Sequence, residues 1–167
     1  MKNAVFFIFF LLAFGLVGYA QTPGTVSAPT FVVDVEGGKT LTLNAADFAK
    51  FPQKEVRVKD HDGKDTRYSG VDLRDILVSA GAIFGKDFRG PQLRNYVVIE
   101  AADGYRAVIA AAELDPGFSD RTFVLAYAEN DKPLSAKNGP WQMIVPDDKK
   151  HGRWVRQVTA IRLRSAK

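Results

Sequence analysis

Short apolar runs closed by turn residues restrict this chain more than any other feature of its sequence. Tyr96 to Ala101 and Arg106 to Ala110 flank Asp103-Gly104, a turn signal between two alternating segments. Thr122 to Ala128 is a third run, stopped by Asn130-Asp131. Runs this short cross a sheet but do not give a helix a full buried face. Thr30 to Glu36 alternates around Phe31, Val33 and Val35, and Leu41 and Leu43 resume the pattern after Gly37-Gly38, which predicts a hairpin or a pair of edge strands. Glu55 to Lys59 and Thr66 to Tyr68 predict a second, polar hairpin around His61-Asp62-Gly63.

Helical signals are few. Asn44 is placed to cap Ala45 to Phe51, which Pro52 ends. Asp72 opens the strongest helix, with Leu73, Ile76, Leu77 and Ala80 on one face and Gly81 as its stop. Ile83 to Arg94 shows no period and predicts loop with one helical turn, and Ala111 to Leu114 predicts a single turn before Pro116. About eight strands against two or three short helices give an α+β class, rich in antiparallel or mixed sheet.

Asn138 to Leu163 predicts two strands joined by a basic loop carrying Lys149, Lys150, His151 and Arg153, with Arg156 just beyond. Clustered charge at strand ends suits a phosphate, sulfate or carboxylate, which Arg binds in a bidentate way. The plainer alternative is a solvated loop neutralised by Asp147 and Asp148. Asp103-Gly104-Tyr105 presents Tyr105 and Arg106 at a pocket mouth, or is only a hairpin turn. Trp141 and Trp154 stack on a flat ligand, or pack in the core.

Lys2 precedes an apolar run from Ala4 to Val17 that ends in Gly18-Tyr19-Ala20, the pattern of a secretory signal peptide over residues 1–20. Residues 21–29 form a Pro, Gly, Ser and Thr-rich leader, and 30–167 a single domain. Without an Arg-Arg pair ahead of the apolar run, or a lipoprotein cysteine, the expected route is the general secretory one, to a periplasm or the medium, with no stable membrane insertion after cleavage. Loss of residues 1–20 removes one Lys and lowers the formal charge from +4 to +3, too mild for nucleic acid. The chain has no cysteine, so no disulfide and no thiolate ligand or nucleophile is available. His61 and His151 are the only histidines and lack zinc-ligand spacing. No Gly-x-Ser-x-Gly elbow is present, and Asp72 and Asp75 lie one helical turn apart, where they cap and solvate a helix.

The order Tyr68-x-Gly70-Val71-x-Leu73-x-x-Ile76-Leu77-x-x-Ala80-Gly81, then Asp103-Gly104-Tyr105, Leu125-Ala126-Tyr127 with Pro133-Leu134, Gly139-Pro140 to Val145-Pro146, and Arg153-Trp154-Val155-Arg156 resembles the molybdopterin-binding domain of the sulfite oxidase family. The resemblance covers about Leu41 to Leu163. It implies that family's α+β fold, with a molybdenum–pterin cofactor among loops and a cysteine ligating the metal from the segment before Tyr-x-Gly, here Val56 to Arg67. Family members oxidise sulfite or reduce sulfoxides, and hold the pterin phosphate partly through basic residues of the last segment, which carries over to Arg153 and Arg156. Enzymes loaded with this cofactor in the cytoplasm leave it folded by the twin-arginine route, whereas a chain threaded unfolded would arrive empty.

The expectation is therefore an exported member of that fold, acting as a non-catalytic ligand-binding or accessory module without molybdenum–cysteine ligation. The candidate pocket comprises the Asp60 to Gly63 turn with Asp60 and His61, then Tyr105, Arg106, Trp141, Lys150, His151, Arg153 and Arg156. Its occupant would be molybdopterin, another anionic or pterin ligand, or a partner protein. The alternative is a molybdopterin-dependent oxidoreductase with non-cysteine ligation, in which Asp60 or His61 takes the metal.

Overall fold

The computed structural model describes residues 28–60 and 62–167. Among these residues, ten strands lie in two sheets. β1 (Thr30–Val35) and β2 (Thr40–Asn44) form the first hairpin, and Asn44 then caps α1 (Ala45–Phe48). The cap is a full capping box, in which the Asn44 side chain accepts from Ala46 N and Asp47 N while Asp47 accepts from Asn44 N. The helix ends earlier than its apolar period suggests. β3 (Gln53–Lys59) and β4 (Asp65–Asp72) form the second hairpin, longer than the alternation of valines alone indicates.

Asp72 caps α2 (Leu73–Ser79) through Arg74 N, and Gly81, at φ +95°, takes the left-handed turn that ends it. Short 3-10 turns at Gly85–Asp87 and Gly90–Arg94 occupy the stretch without a period. β5 (Asn95–Ala101) and β6 (Arg106–Ala110) pair across the Asp103-Gly104 turn, as the sequence indicates. β7 (Val124–Glu129) and the two-residue β8 (Lys132–Pro133) follow, then β9 (Gln142–Ile144) and β10 (Val158–Ser165).

The first sheet has the order β2-β1-β10-β5-β6, with β1 parallel to β10 and the other pairs antiparallel. The second runs β3-β4-β7-β8, with β9 also on β7. One buried cluster draws on both sheets and on α2, from Phe31, Val33, Ile99 and Ile161 to Val71, Leu77 and Leu125.

The strands of Asn138 to Leu163 do not pair with each other: β9 belongs to the second sheet and β10 to the first. The second strand starts only at Val158, later than the sequence suggests: a 3-10 turn (His151–Arg153) and a bend precede it, and Gln157 sits at φ +48°, which breaks the extended run. Met143 N donates to Val155 O (2.8 Å) and Val158 N to Trp141 O (3.0 Å), so this segment joins the two sheets. No helix among the described residues is long and apolar enough to cross a membrane.

Candidate functional site

Where the sheets meet, three loops and one sheet face surround a cleft of about 840 Å³, within the range of small-molecule sites. The β3–β4 turn contributes Asp60 and Asp62, the β5–β6 turn Asp103 and Tyr105, and the segment before β10 His151, Trp154 and Arg156. The second sheet contributes Tyr68, Glu129 and Gln142.

A bulge brings those three together. β4 and β7 pair Tyr68 with Glu129 and Ser69 with Ala128, but Gly70 with Ala126, which leaves Tyr127 without an opposite number. The extra residue shifts the alternation, so Tyr127 and Ala128 both line a second, apolar groove while Glu129 comes onto the face of Tyr68. Gln142, opposite Ala126 on β9, shares that face. Gly70 makes the close approach possible: a Cβ there would collide with the Leu125 carbonyl oxygen and lie 2.7 Å from Ala126 Cα. The Tyr-x-Gly spacing thus has a local cause, a buried ring two residues before a position that admits no side chain.

The loops are tied down. Tyr105 Oη donates to Gly152 O (2.8 Å), which links the β5–β6 turn to the loop before β10. The His151 ring stacks on Trp154 with centroids 3.9 Å apart, and Trp154 Nε1 donates to Val145 O (2.9 Å). Asp60 accepts from Asp62 N (2.9 Å), Lys64 N (2.9 Å) and Thr66 Oγ1 (3.1 Å), and the Lys64 N–H foremost holds its carboxyl below the usual range. That carboxylate is the brace of its own turn.

Other groups lining the cleft are left open. Gln142 is 4% exposed and its Oε1 has no hydrogen-bond partner among the described residues. Glu129, Lys137 and Arg156 make no side-chain hydrogen bond or ion pair with the described residues. Burial pushes the Tyr68 phenol up to about 12, helped by the charges of Glu129 and Asp60 and opposed by Arg156, so its hydroxyl stays protonated at neutral pH.

Of the residues singled out from sequence, Asp60, Tyr105, His151 and Arg156 line the cleft. His61 lies outside the described residues. Trp141 is 1% exposed, packs on Phe31 (4.9 Å) and Phe48 (6.1 Å), and borders the apolar groove instead. Arg153 does not line the cleft and pairs with Asp148 (2.6 Å), one of the two acids expected to neutralise the loop, and with Glu113 (3.0 Å) from outside it. Arg106 pairs with Glu100 (3.3 Å) on β5, and neither it nor the exposed Lys150 lines the cleft. Sequence reasoning missed Gln142 and Glu129. A lone polar residue inside Trp141-Gln142-Met143-Ile144-Val145 was the available signal for the first.

Comparison with known families decides the relationship. The family described as the oxidoreductase molybdopterin binding domain matches residues 19–167. This chain belongs to that family. Among solved structures, the sulfane dehydrogenase SoxCD from Paracoccus pantotrophus superposes with a TM-score of 0.63 at 15% identity, over 80% of this chain and 37% of that one. At that identity the match shows the fold alone, and this chain spans little more than a third of the SoxCD chain. No match was found among curated proteins.

The cleft does not fit the molybdenum centre of this oxidoreductase family. No thiolate exists in the chain, and Asp60, in the hairpin to which the resemblance assigns the metal-ligating cysteine, already accepts three hydrogen bonds. No group of three or more His, Cys, Asp or Glu suited to a metal occurs among the described residues.

Proposed function

We propose that this chain is an exported, non-catalytic ligand-binding member of the molybdopterin-binding family, using the cleft between its two sheets. The observation that carries the reading is the absence of any cysteine, combined with an Asp60 carboxylate committed to its own turn. A metal held by dithiolene sulfurs and a protein thiolate loses its soft protein ligand here, and with it the redox tuning that ligand supplies. Lys2 and the apolar run from Ala4 to Val17 support export by the general secretory route.

The test is the molybdenum content of the protein purified without tags from its native host, measured per chain by elemental mass spectrometry. Background metal is the expected result. Near-equimolar molybdenum would overturn the proposal and restore an oxidoreductase with non-cysteine ligation.

A further inference from the structure

The bulge that brings Glu129 to the cleft puts Tyr127 and Ala128 on the wall of a separate groove of about 810 Å³, a volume that suits a small molecule. Its floor is aromatic: Phe48 stacks on Trp141 (6.1 Å) and meets Tyr127 edge to face (6.0 Å). Ala45, Ala49, Pro133, Leu134 and Pro140 extend the apolar lining. The polar groups of the groove are already bonded, with one exception. Gln53 Nε2 donates to Phe48 O (2.8 Å) and Phe51 O (2.9 Å), and Gln53 Oε1 accepts from Tyr127 Oη (3.0 Å). Asp131, the one acid of the lining among the described residues, pairs with Arg67. Lys132 is exposed and makes no side-chain hydrogen bond or ion pair with the described residues. Asn130 and Asp131, at φ +48° and +63°, form the two-residue turn that sets Lys132 at the start of β8 and on the groove.

Such a groove does not favour a ligand rich in donors and acceptors, because each polar group that loses water there finds no match. It suits an apolar body with a single anionic group. We propose that this groove binds a single-chain carboxylate such as a medium-chain fatty acid, with its hydrocarbon over Phe48, Trp141 and Tyr127 and its carboxylate at Lys132. A second copy of this chain is the poorer occupant. Phe48 and Trp141 are nearly buried, so the floor lies at the bottom of the groove, where a slim chain fits and a flat protein face does not reach. The groove and the cleft share no lining residue, so this assignment stands whether or not the cleft takes a ligand.

Isothermal calorimetry with octanoate, decanoate and 1-decanol, each at concentrations where it is monomeric, tests this on the whole chain. Decanoate is expected to bind about tenfold more tightly than octanoate, because two more methylenes leave water. Lys132→Gln should weaken decanoate about threefold, the worth of an exposed ion pair, and leave 1-decanol unchanged. Ala49→Trp sits at an exposed position of ordinary helical backbone, and should fill the groove and weaken both decanoate and 1-decanol about tenfold or more. A circular dichroism spectrum matching the wild type checks that this variant folds. No binding of decanoate by the wild type, or an affinity for decanoate unchanged in Lys132→Gln, would overturn the proposal. Binding kept in Ala49→Trp would also overturn it, and its loss in Arg156→Ala would then assign the ligand to the cleft. A wild type that binds no decanoate, is dimeric in the ultracentrifuge and becomes monomeric as Ala49→Trp would give the groove to a second copy instead.

Discussion

Gln142 shows what a single residue does here. Among Trp141, Met143, Ile144 and Val145, all buried and apolar, it alone brings a polar side chain inside, with an oxygen that no donor among the described residues meets. An unsatisfied buried acceptor costs about 1–3 kcal/mol, and an apolar side chain of similar size avoids that penalty. Gln142→Leu should therefore stabilise the unliganded protein by about 1 kcal/mol and raise Tm by about 3 °C. Thermal unfolding followed by circular dichroism reads the effect, and a lower Tm would show that the amide is held by contacts worth more than its lost hydration.

At the level of elements, the β4–β7 pairing does the positioning. Gly70→Ala places a methyl group against the Leu125 carbonyl oxygen and within 2.7 Å of Ala126 Cα, where backbone and not a flexible side chain must yield. The expected loss is about 3 kcal/mol, measured by urea denaturation, together with a weaker cleft ligand because the bulge moves. A loss under about 0.5 kcal/mol would mean that β4 and β7 separate easily and that the bulge is not a firm support. The local elements were legible because their causes are local: Asn44 and Asp72 cap, Gly81 and Asp103-Gly104 turn, and the valines of β1 alternate. The bulge was not, because Leu125-Ala126-Tyr127-Ala128 is apolar on both faces and gives no sign of where the alternation breaks. Nor was the bend before β10, where Gln157 takes a positive φ with no glycine to announce it. Of the nine candidate site residues, four from the turns and the basic segment, Asp60, Tyr105, His151 and Arg156, line the cleft. Arg153, Arg106 and Trp141, chosen by charge or ring type, instead find partners that only the three-dimensional arrangement supplies.

Across the whole molecule, carboxylates hold distant parts of the chain together. Asp34 on β1 pairs with Arg164 and Arg162 on β10, and Asp148 pairs with Arg153, which also reaches Glu113 and so braces the loop before β10. Both carboxyls lie below their usual range, Asp34 mainly through Arg164 and Asp148 mainly through Arg153, and Asp60 and Asp47 are lowered as well. A carboxyl depressed in the folded state contributes stability that is present above its unfolded pKa of about 4 and is lost as pH falls through the folded value. Tm should therefore vary little among these carboxylates' contributions from pH 7 to 5 and drop steeply below about pH 4. Asp148→Asn tests the share of the loop brace: it leaves Arg153 short of its closest partner at a site where the side chains are 23% and 11% exposed. It should lower stability at pH 7 by about 2 kcal/mol, between the values for surface and buried pairs. It should also flatten the acid limb, because the carboxyl that titrates there is gone. Equal acid slopes in variant and wild type would assign the acid loss to Asp34, Asp47 and Asp60, and with it to the β1–β10 junction and the turns and not to the cleft wall.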